Sequence, residues 1–280
     1  MLTVYAPAKI NLVLEILGKY DDDYHQIYSV MQTISLYDVL RFKLSDGISL
    51  KCSELNLEPN NIATEAAMLL KRTVGCDKGV WVELHKNIPW GVGLGGGSSD
   101  AAAVLLTLNK LWKLELSVPE LAYLAFKLGS DVPFFVYGGT ALVEGKGEKI
   151  TPLPSLCPAW FVLMVPPIPK IENKTKQLYG SLNKGYFTGG EFIHAALLPL
   201  MQGKAIEPCL MFNAFEKVAP NFFPQLGEYK RRFEEAGASN ISLAGSGPCL
   251  FTLVNSKDEA DSLFLRLKRQ GLECYVASAI

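Results

Sequence analysis

At 280 residues, 49% hydrophobic and 20% charged, the chain has a soluble globular composition and room for one large domain or two ordinary ones. A formal charge of −1 gives no reason to expect nucleic acid or another polyanion as partner, and no apolar run approaches the roughly 18 residues of a membrane span. The opening "MLTVYAPAKINLVLEI", broken by Lys9, Asn11 and Glu15, does not read as a signal peptide, and six scattered cysteines (52, 76, 157, 209, 249 and 274) read as reduced core thiols of a cytoplasmic protein rather than a zinc site or disulfide frame.

In chain order, "LTVYAPAKINLVLEIL" and "YSVMQTISLYDVLRFKL" carry β-branched and aromatic residues in partial alternation, which predicts strands. "NIATEAAMLLKRTVG" places apolar residues at 62, 66, 69 and 70, a helical spacing that Asn60 or Asn61 can cap. "GVWVELHKNIP" predicts a strand. "SSDAAAVLLTLNKLW" predicts a helix starting near Ser98, apolar almost all round and therefore buried. "VPELAYLAFKLG" predicts another, with Pro119 in its first turn and Gly129 at its end, and "PFFVYGGTALVEGKGEKI" looks like a hairpin. Six prolines between 151 and 169 then suggest a domain boundary near residue 154. Beyond it, strands at 160–165, 241–244, 249–254 and 273–278 and helices at 174–183, 191–202, 224–236 and 257–270 suggest helices on one face of a small sheet, an α+β arrangement. His85 and His194 lack partner spacing and read as structural, and the run Lys230, Arg231, Arg232 reads as a solvated helix face.

"WGVGLGGGSSDAA", residues 90–102, puts five glycines into seven positions between a predicted strand and a buried helix. Glycine is costly to order, but bare backbone lets N–H groups converge on a ligand, and the helix turns its positive end the same way. Such a nest suits a phosphate, with Ser98, Ser99 and Asp100 available to cap the helix. A P-loop is excluded because no lysine follows the glycines, and the G-x-G-x-x-G match at Gly91, Gly93 and Gly96 lacks both a dinucleotide fold's context and the protein-kinase motifs. The bland alternative is a flexible surface turn.

The stretch Pro89 to Ala102, "PWGVGLGGGSSDAA", resembles the ATP-binding motif of the GHMP small-molecule kinases, among them the galactose, homoserine, mevalonate and phosphomevalonate kinases. "PAKINLVLEI" looks like the family's first motif and "LAGSGPCLF" (243–251) like its third, a second glycine turn facing the phosphate loop. "DDDYHQI" and "GSDVPFF" (129–135) are similar to a member that phosphorylates the 2-hydroxyl of a cytidine diphosphate-linked sugar alcohol in isoprenoid precursor synthesis. Asp23 stands where the family usually has Gly, and Trp90 where a smaller apolar residue is common.

The resemblance implies a two-domain α+β kinase, with a ribosomal-protein-S5-like domain over 1–154, a ferredoxin-like sandwich over 155–280 and the site between them. It implies ATP contacts from Pro89, Trp90, Gly91, Val92, Gly93, Leu94, Gly95, Gly96, Gly97, Ser98 and Ser99, with Mg²⁺ needed for charge neutralisation and Ser98 as its one nameable contact. Asp131 would accept the hydroxyl proton and Lys9 would pair with it; otherwise Asp131 is a turn or cap aspartate and Lys9 an edge lysine. Asn11, on the same strand face as Lys9, would hold substrate or Lys9. Tyr24 would stack on cytosine, His25 would hydrogen-bond its edge as neutral imidazole, and Tyr179 would offer a second ring, against readings of all three as ordinary packing. The glycines at 245 and 247, with Ser246, face the phosphates or simply make a tight turn. The expected partners are small molecules only, with the chain a monomer or weak homodimer. Other readings are a different GHMP kinase (mevalonate, phosphomevalonate or homoserine) or a non-catalytic nucleotide-binding protein.

Overall fold

The computed structural model describes residues 1–156, 158–204 and 206–280. Two long strands, β1 (Leu2–Lys19) and β2 (His25–Ser45), run antiparallel for nearly their whole length, with register irregularities at Pro7/Ala8, Asn11/Val13 and Ile16/Gly18. Such shifts bend a strand and re-aim its side chains. Here they let one strand serve two parts of a sheet. The far half of β2 pairs with β4 (Gly79–His85), which lies beside β3 (Ile48–Cys52), while its near half pairs with β5 (Thr140–Gly145), itself in a hairpin with β6 (Lys149–Leu153).

Against this sheet pack α1 (Ile62–Val74), α2 (Gly96–Trp112), α3 (Val118–Phe126) and α4 (Val132–Tyr137). Asn61 caps α1 by accepting from Ala63 N, and Ser117 and Glu120 form a capping box on α3. Alanines at 101, 102 and 103 let α2 sit deep, buried on nearly every side. Its start differs from expectation: α2 begins at Gly96 with Gly95 at the cap, so Ser98, Ser99 and Asp100 lie inside the helix and none caps it. "PFFVY" is also helical, not a strand. Asp131 and Pro133 open α4 at its first turn, and an apolar run this short is periodically ambiguous.

The second sheet consists of β7 (Trp160–Val165), β9 (Ser242–Leu243), β10 (Leu250–Val254) and β11 (Glu273–Ser278), in the order β11-β7-β10-β9 and antiparallel throughout. Numbered within the sheet, that order is 4-1-3-2. With α5 (Lys174–Ser181), α6 (Glu191–Met201), α7 (Ala219–Phe222) and α8 (Leu226–Glu235) after its first strand and α9 (Lys257–Arg269) before its last, it has ferredoxin-like connectivity.

The halves are stitched rather than merely apposed. The short β8 (Phe212–Asn213) adds a parallel pair to β1 at Val13 and Leu14. The C-terminal end returns to β2: Ile34 bridges Ala279, and Gln32 donates to the Ile280 carbonyl at 3.1 Å. Both apolar cores draw residues from both halves, Leu105 with Leu250 in one and Ile10 with Phe161 in the other. Of the thiols expected in the core, Cys52, Cys249 and Cys274 are buried; Cys76 is half-buried, Cys209 is exposed, and Cys157 lies outside the described residues. Among the described residues no helix is long and apolar enough to cross a membrane.

Candidate active site

Two glycine turns, one from each half, meet backbone to backbone. The first leaves β4 and reaches α2 through Gly91, Gly93 and Gly95, all at positive φ (78°, 98° and 72°). A Cβ on Gly93 would sit 1.9 Å from the Ala244 carbonyl oxygen of the second turn, so this position requires glycine for both conformation and space. One backbone bond crosses the junction, Cys249 N donating to Val92 O at 3.2 Å; Lys9 N of β1 donates to Leu94 O of the first turn at 3.0 Å, and Gly247 N to Ala244 O closes the second at 2.8 Å. Asn213 of β8 holds the second turn from behind, its Nδ2 donating to Leu243 O and Gly245 O, each at 2.8 Å. The first intrahelical bond of α2 runs from Ser99 N to Gly95 O. The N–H groups of Gly96, Gly97 and Ser98 are therefore left pointing out of the helix end, where an anion is favoured.

A cleft of about 580 Å³ opens in front of this junction, between the two halves. Its floor carries Lys9 from β1, which is buried and faces Asp131 at 3.3 Å. Lys9 Nζ also donates to Asn11 Oδ1 at 2.8 Å, Asn11 Nδ2 to Ser29 Oγ at 2.9 Å, and Ser29 Oγ to Val13 O at 2.7 Å. That chain of bonds holds the lysine head in one place. Asp131 occupies the cap position of α4, yet its side chain makes no capping hydrogen bond; the carboxylate, 40% exposed, lines the cleft instead.

Of the proposed nucleotide-loop residues, Pro89, Trp90, Gly91, Gly93, Leu94, Gly95, Gly96, Gly97 and Ser98 line the cleft; Val92 and Ser99 are buried behind it. Ser246 and Gly245 line it from the opposite turn. At the other end, Tyr179 lines the cleft against Phe215 (ring centroids 4.8 Å) and stacks on His25 (5.0 Å, 29°). His25 is buried behind Tyr179, and its Nε2 has no hydrogen-bond partner. Burial lowers its pKa, which keeps the imidazole neutral. Tyr24 stands apart, 55% exposed and outside the cleft lining, with the Lys146 ammonium 5.0 Å from its ring centroid. Asp23 adopts the positive φ (68°) that a glycine would take there and pairs with Lys19 at 2.5 Å. Trp90 carries the Lys170 ammonium over its ring.

Two features lay beyond sequence reading. Lys174, at the start of α5, donates to the carbonyls of Gly91 (2.9 Å) and Gly247. Behind the first glycine turn, Lys86 lies between Asp38 and Asp100, bonded to both, at 2.7 Å to the latter. Asp38 also accepts from Asn87 N and Ile88 N, whereas Asp100 Oδ1 has no partner. One ammonium cannot compensate two buried carboxylates. Burial pushes the Asp100 carboxyl up to about 8, which favours its protonated form. No group of three His, Cys, Asp or Glu side chains able to hold a metal occurs among the described residues.

A cleft floored by a lysine–aspartate pair and roofed by paired glycine turns at a helix N-terminus has the chemistry for phosphoryl transfer to a small molecule. The family models for the GHMP kinases N terminal domain and the GHMP kinases C terminal match residues 61–139 and 196–272. The chain belongs to the GHMP kinases, which use ATP as co-substrate. Within them its curated relatives are named 4-diphosphocytidyl-2-C-methyl-D-erythritol kinase; one from Dehalococcoides mccartyi is 43% identical over 281 aligned positions, covering 100% of this chain and 99% of the relative. A crystal structure of 4-(cytidine 5'-diphospho)-2C-methyl-D-erythritol kinase matches with a TM-score of 0.84 at 33% identity, covering 99% of each chain. A homoserine kinase from Cytophaga hutchinsonii shares the fold alone, with a TM-score of 0.76 at 18% identity over 100% of this chain and 94% of that one.

Proposed function

We propose that this enzyme transfers the γ-phosphoryl group of ATP to the 2-hydroxyl of 4-diphosphocytidyl-2-C-methyl-D-erythritol. The observation that carries the reading is the Lys9–Asp131 pair at 3.3 Å on the floor of a cleft whose roof is the glycine-turn junction. Phosphoryl transfer asks little covalent work of a protein; positioning and charge stabilisation dominate. The N–H groups opening α2 would cradle the phosphates, Asp131 would accept the hydroxyl proton as oxygen attacks phosphorus, and Lys9 would stabilise the negative charge growing on that oxygen. Asn11 keeps Lys9 on station through the hydrogen bond at 2.8 Å.

The donor set suits a Mg²⁺ ion that arrives on the phosphates: Ser98 lines the cleft, and Asp131 is already engaged with Lys9. Magnesium typically keeps several waters and binds through substrate phosphates plus one or two protein groups. Ser98 would be the protein's contact, and the ion would neutralise charge on the transferring group.

At the far end, Tyr179 offers a ring face to the cytosine, and the unpartnered Nε2 of the neutral His25 suits the base's polar edge. Tyr24 would reach the base only by a movement of its exposed loop. The five described cysteines are unpaired, which supports a reducing, cytoplasmic setting. The test is ADP release from Mg-ATP with the cytidyl substrate, mevalonate, homoserine or galactose. Turnover with the cytidyl compound alone is expected; turnover with another alcohol would discard the nucleobase pocket while keeping the phosphate roof.

A further inference from the structure

Lys174 has no part in the reaction as derived so far. It is 8% exposed, it pairs with no carboxylate among the described residues, and its Nζ donates to Gly91 O at 2.9 Å and to Gly247 O. Those carbonyls belong to the two glycine turns, and in sequence they lie 83 and 73 residues from the lysine. An ammonium has three N–H donors, and two are engaged. Lys174 also lines the main cleft. Its neighbour Thr175 ties α5 to the second turn by a 3.0 Å hydrogen bond to Ser246, so the helix is docked where the lysine emerges.

We propose that Lys174 is a positioning residue for the ATP phosphates: it clamps the two glycine turns at one spacing and presents its remaining N–H to the bound anion. The inference rests on the reading of these turns as the phosphate cradle. Carbonyl acceptors alone leave a buried ammonium uncompensated, and an anion in the cleft supplies the missing charge. Burial, with Lys9 adding repulsion, lowers Lys174 to about 8, so it is poised to be stabilised by a phosphate. The titratable groups around it are Lys9 from β1, Cys249 from the second turn, Asp131 from the cap of α4, Lys176 and Tyr179 further along α5, and Lys170 and Glu273 around a smaller pocket behind. Nucleotide affinity should therefore fall as pH rises through about 8.

Calorimetric titration of Mg-ATP into the wild type, Lys174→Met and Lys174→Arg, between pH 7 and 9, tests this. The Met variant should bind ATP at least about tenfold more weakly with its KM for the acceptor alcohol unchanged, and Arg should recover part of the loss. The wild type's weakening toward pH 9 should vanish in the Met variant. A Met variant with wild-type ATP affinity and the same pH dependence would overturn the proposal. If that variant fails to fold, the wild type decides: flat ATP affinity across the range rejects the clamp's anion role. A wild type that binds no ATP at all instead removes the cradle reading itself, and the clamp with it.

Discussion

The two ends of the cleft are made of different material. The end proposed for the phosphates is backbone: N–H groups at the start of α2 and two glycine turns pressed together, joined by the Cys249 N–Val92 O bond. The end proposed for the nucleobase is side chain: Tyr179 on α5, His25 behind it, and Tyr24 out on an exposed turn. Backbone sites are rigid because the fold itself must change before they do, whereas a side-chain site can be assembled as ligand arrives. The proposed catalytic pair sits between the two. Lys9 is fixed by Asn11 and Ser29, and Asp131 is half-open to the cleft.

Asp131→Asn should give the largest effect on turnover. Losing a general base should lower kcat by about 10³-fold. ATP affinity should hold, because the carboxylate touches neither glycine turn. Single-turnover kinetics alongside calorimetry checks both halves of that statement; a variant retaining near-full kcat would remove Asp131 from the base role. Gly93→Ala attacks the rigid end. Its Cβ would fall 1.9 Å from Ala244 O at a φ of 98°, so the junction must part. We expect ATP binding to be lost and stability to drop by about 2 kcal/mol or more, read by denaturant melts. Unchanged ATP affinity would show that the cradle does not depend on the close approach.

His25→Ala sharpens the comparison from the softer end. The KM for the cytidyl substrate should rise about tenfold or more, the cost of a lost buried hydrogen bond and stacking platform, while the KM for ATP stays put. A change in both would mean that the two ends are coupled through the stack on Tyr179.

The same difference in material explains what could be read from sequence. Gly91, Gly93, Gly95 and the alanines after them spell out a backbone site because bare backbone leaves a compositional mark. Lys9 and Asp131 were findable through the motifs around them. Lys174 carries no such mark: in "ENKTKQLYGS" it reads as one more solvated lysine, and its partners lie 83 and 73 residues away. The Lys86–Asp38–Asp100 cluster is equally silent, spanning separations of 48 and 14 residues. β3 went unread because a five-residue edge strand after a turn carries too short a pattern. The helix α4 was misread because "PFFVY" is apolar throughout and offers no period to choose by. Long-range pairing, not local propensity, decided each of these.

That silent cluster supplies a test that leaves activity least changed and carries the most specific sign. Asp100 lies in the first turns of α2, under the first glycine turn, with its carboxyl raised by burial to about 8 from an ordinary 3.8. The folded state therefore holds a proton there that the unfolded chain releases at much lower pH. By linkage, the stability this group contributes is fully present below the unfolded value of 3.8, falls as pH rises through about 8, and changes no further above it. Asp100→Asn replaces the protonated acid with a group of the same shape that cannot ionise, and its carbonyl can still accept from Lys86. At pH 7 its activity should stay close to wild type. The stability difference between wild type and variant should drift against the wild type from pH 5 to 8, by at most about 1.4 kcal/mol per pH unit, and then level off. Denaturant melts of the pair across that range read the drift directly, with every other titrating group common to both proteins. A constant difference would mean that Asp100 is ionised throughout, with Lys86 compensating both carboxylates, and that the rigid end of the cleft stands on a charged foundation rather than a protonated one.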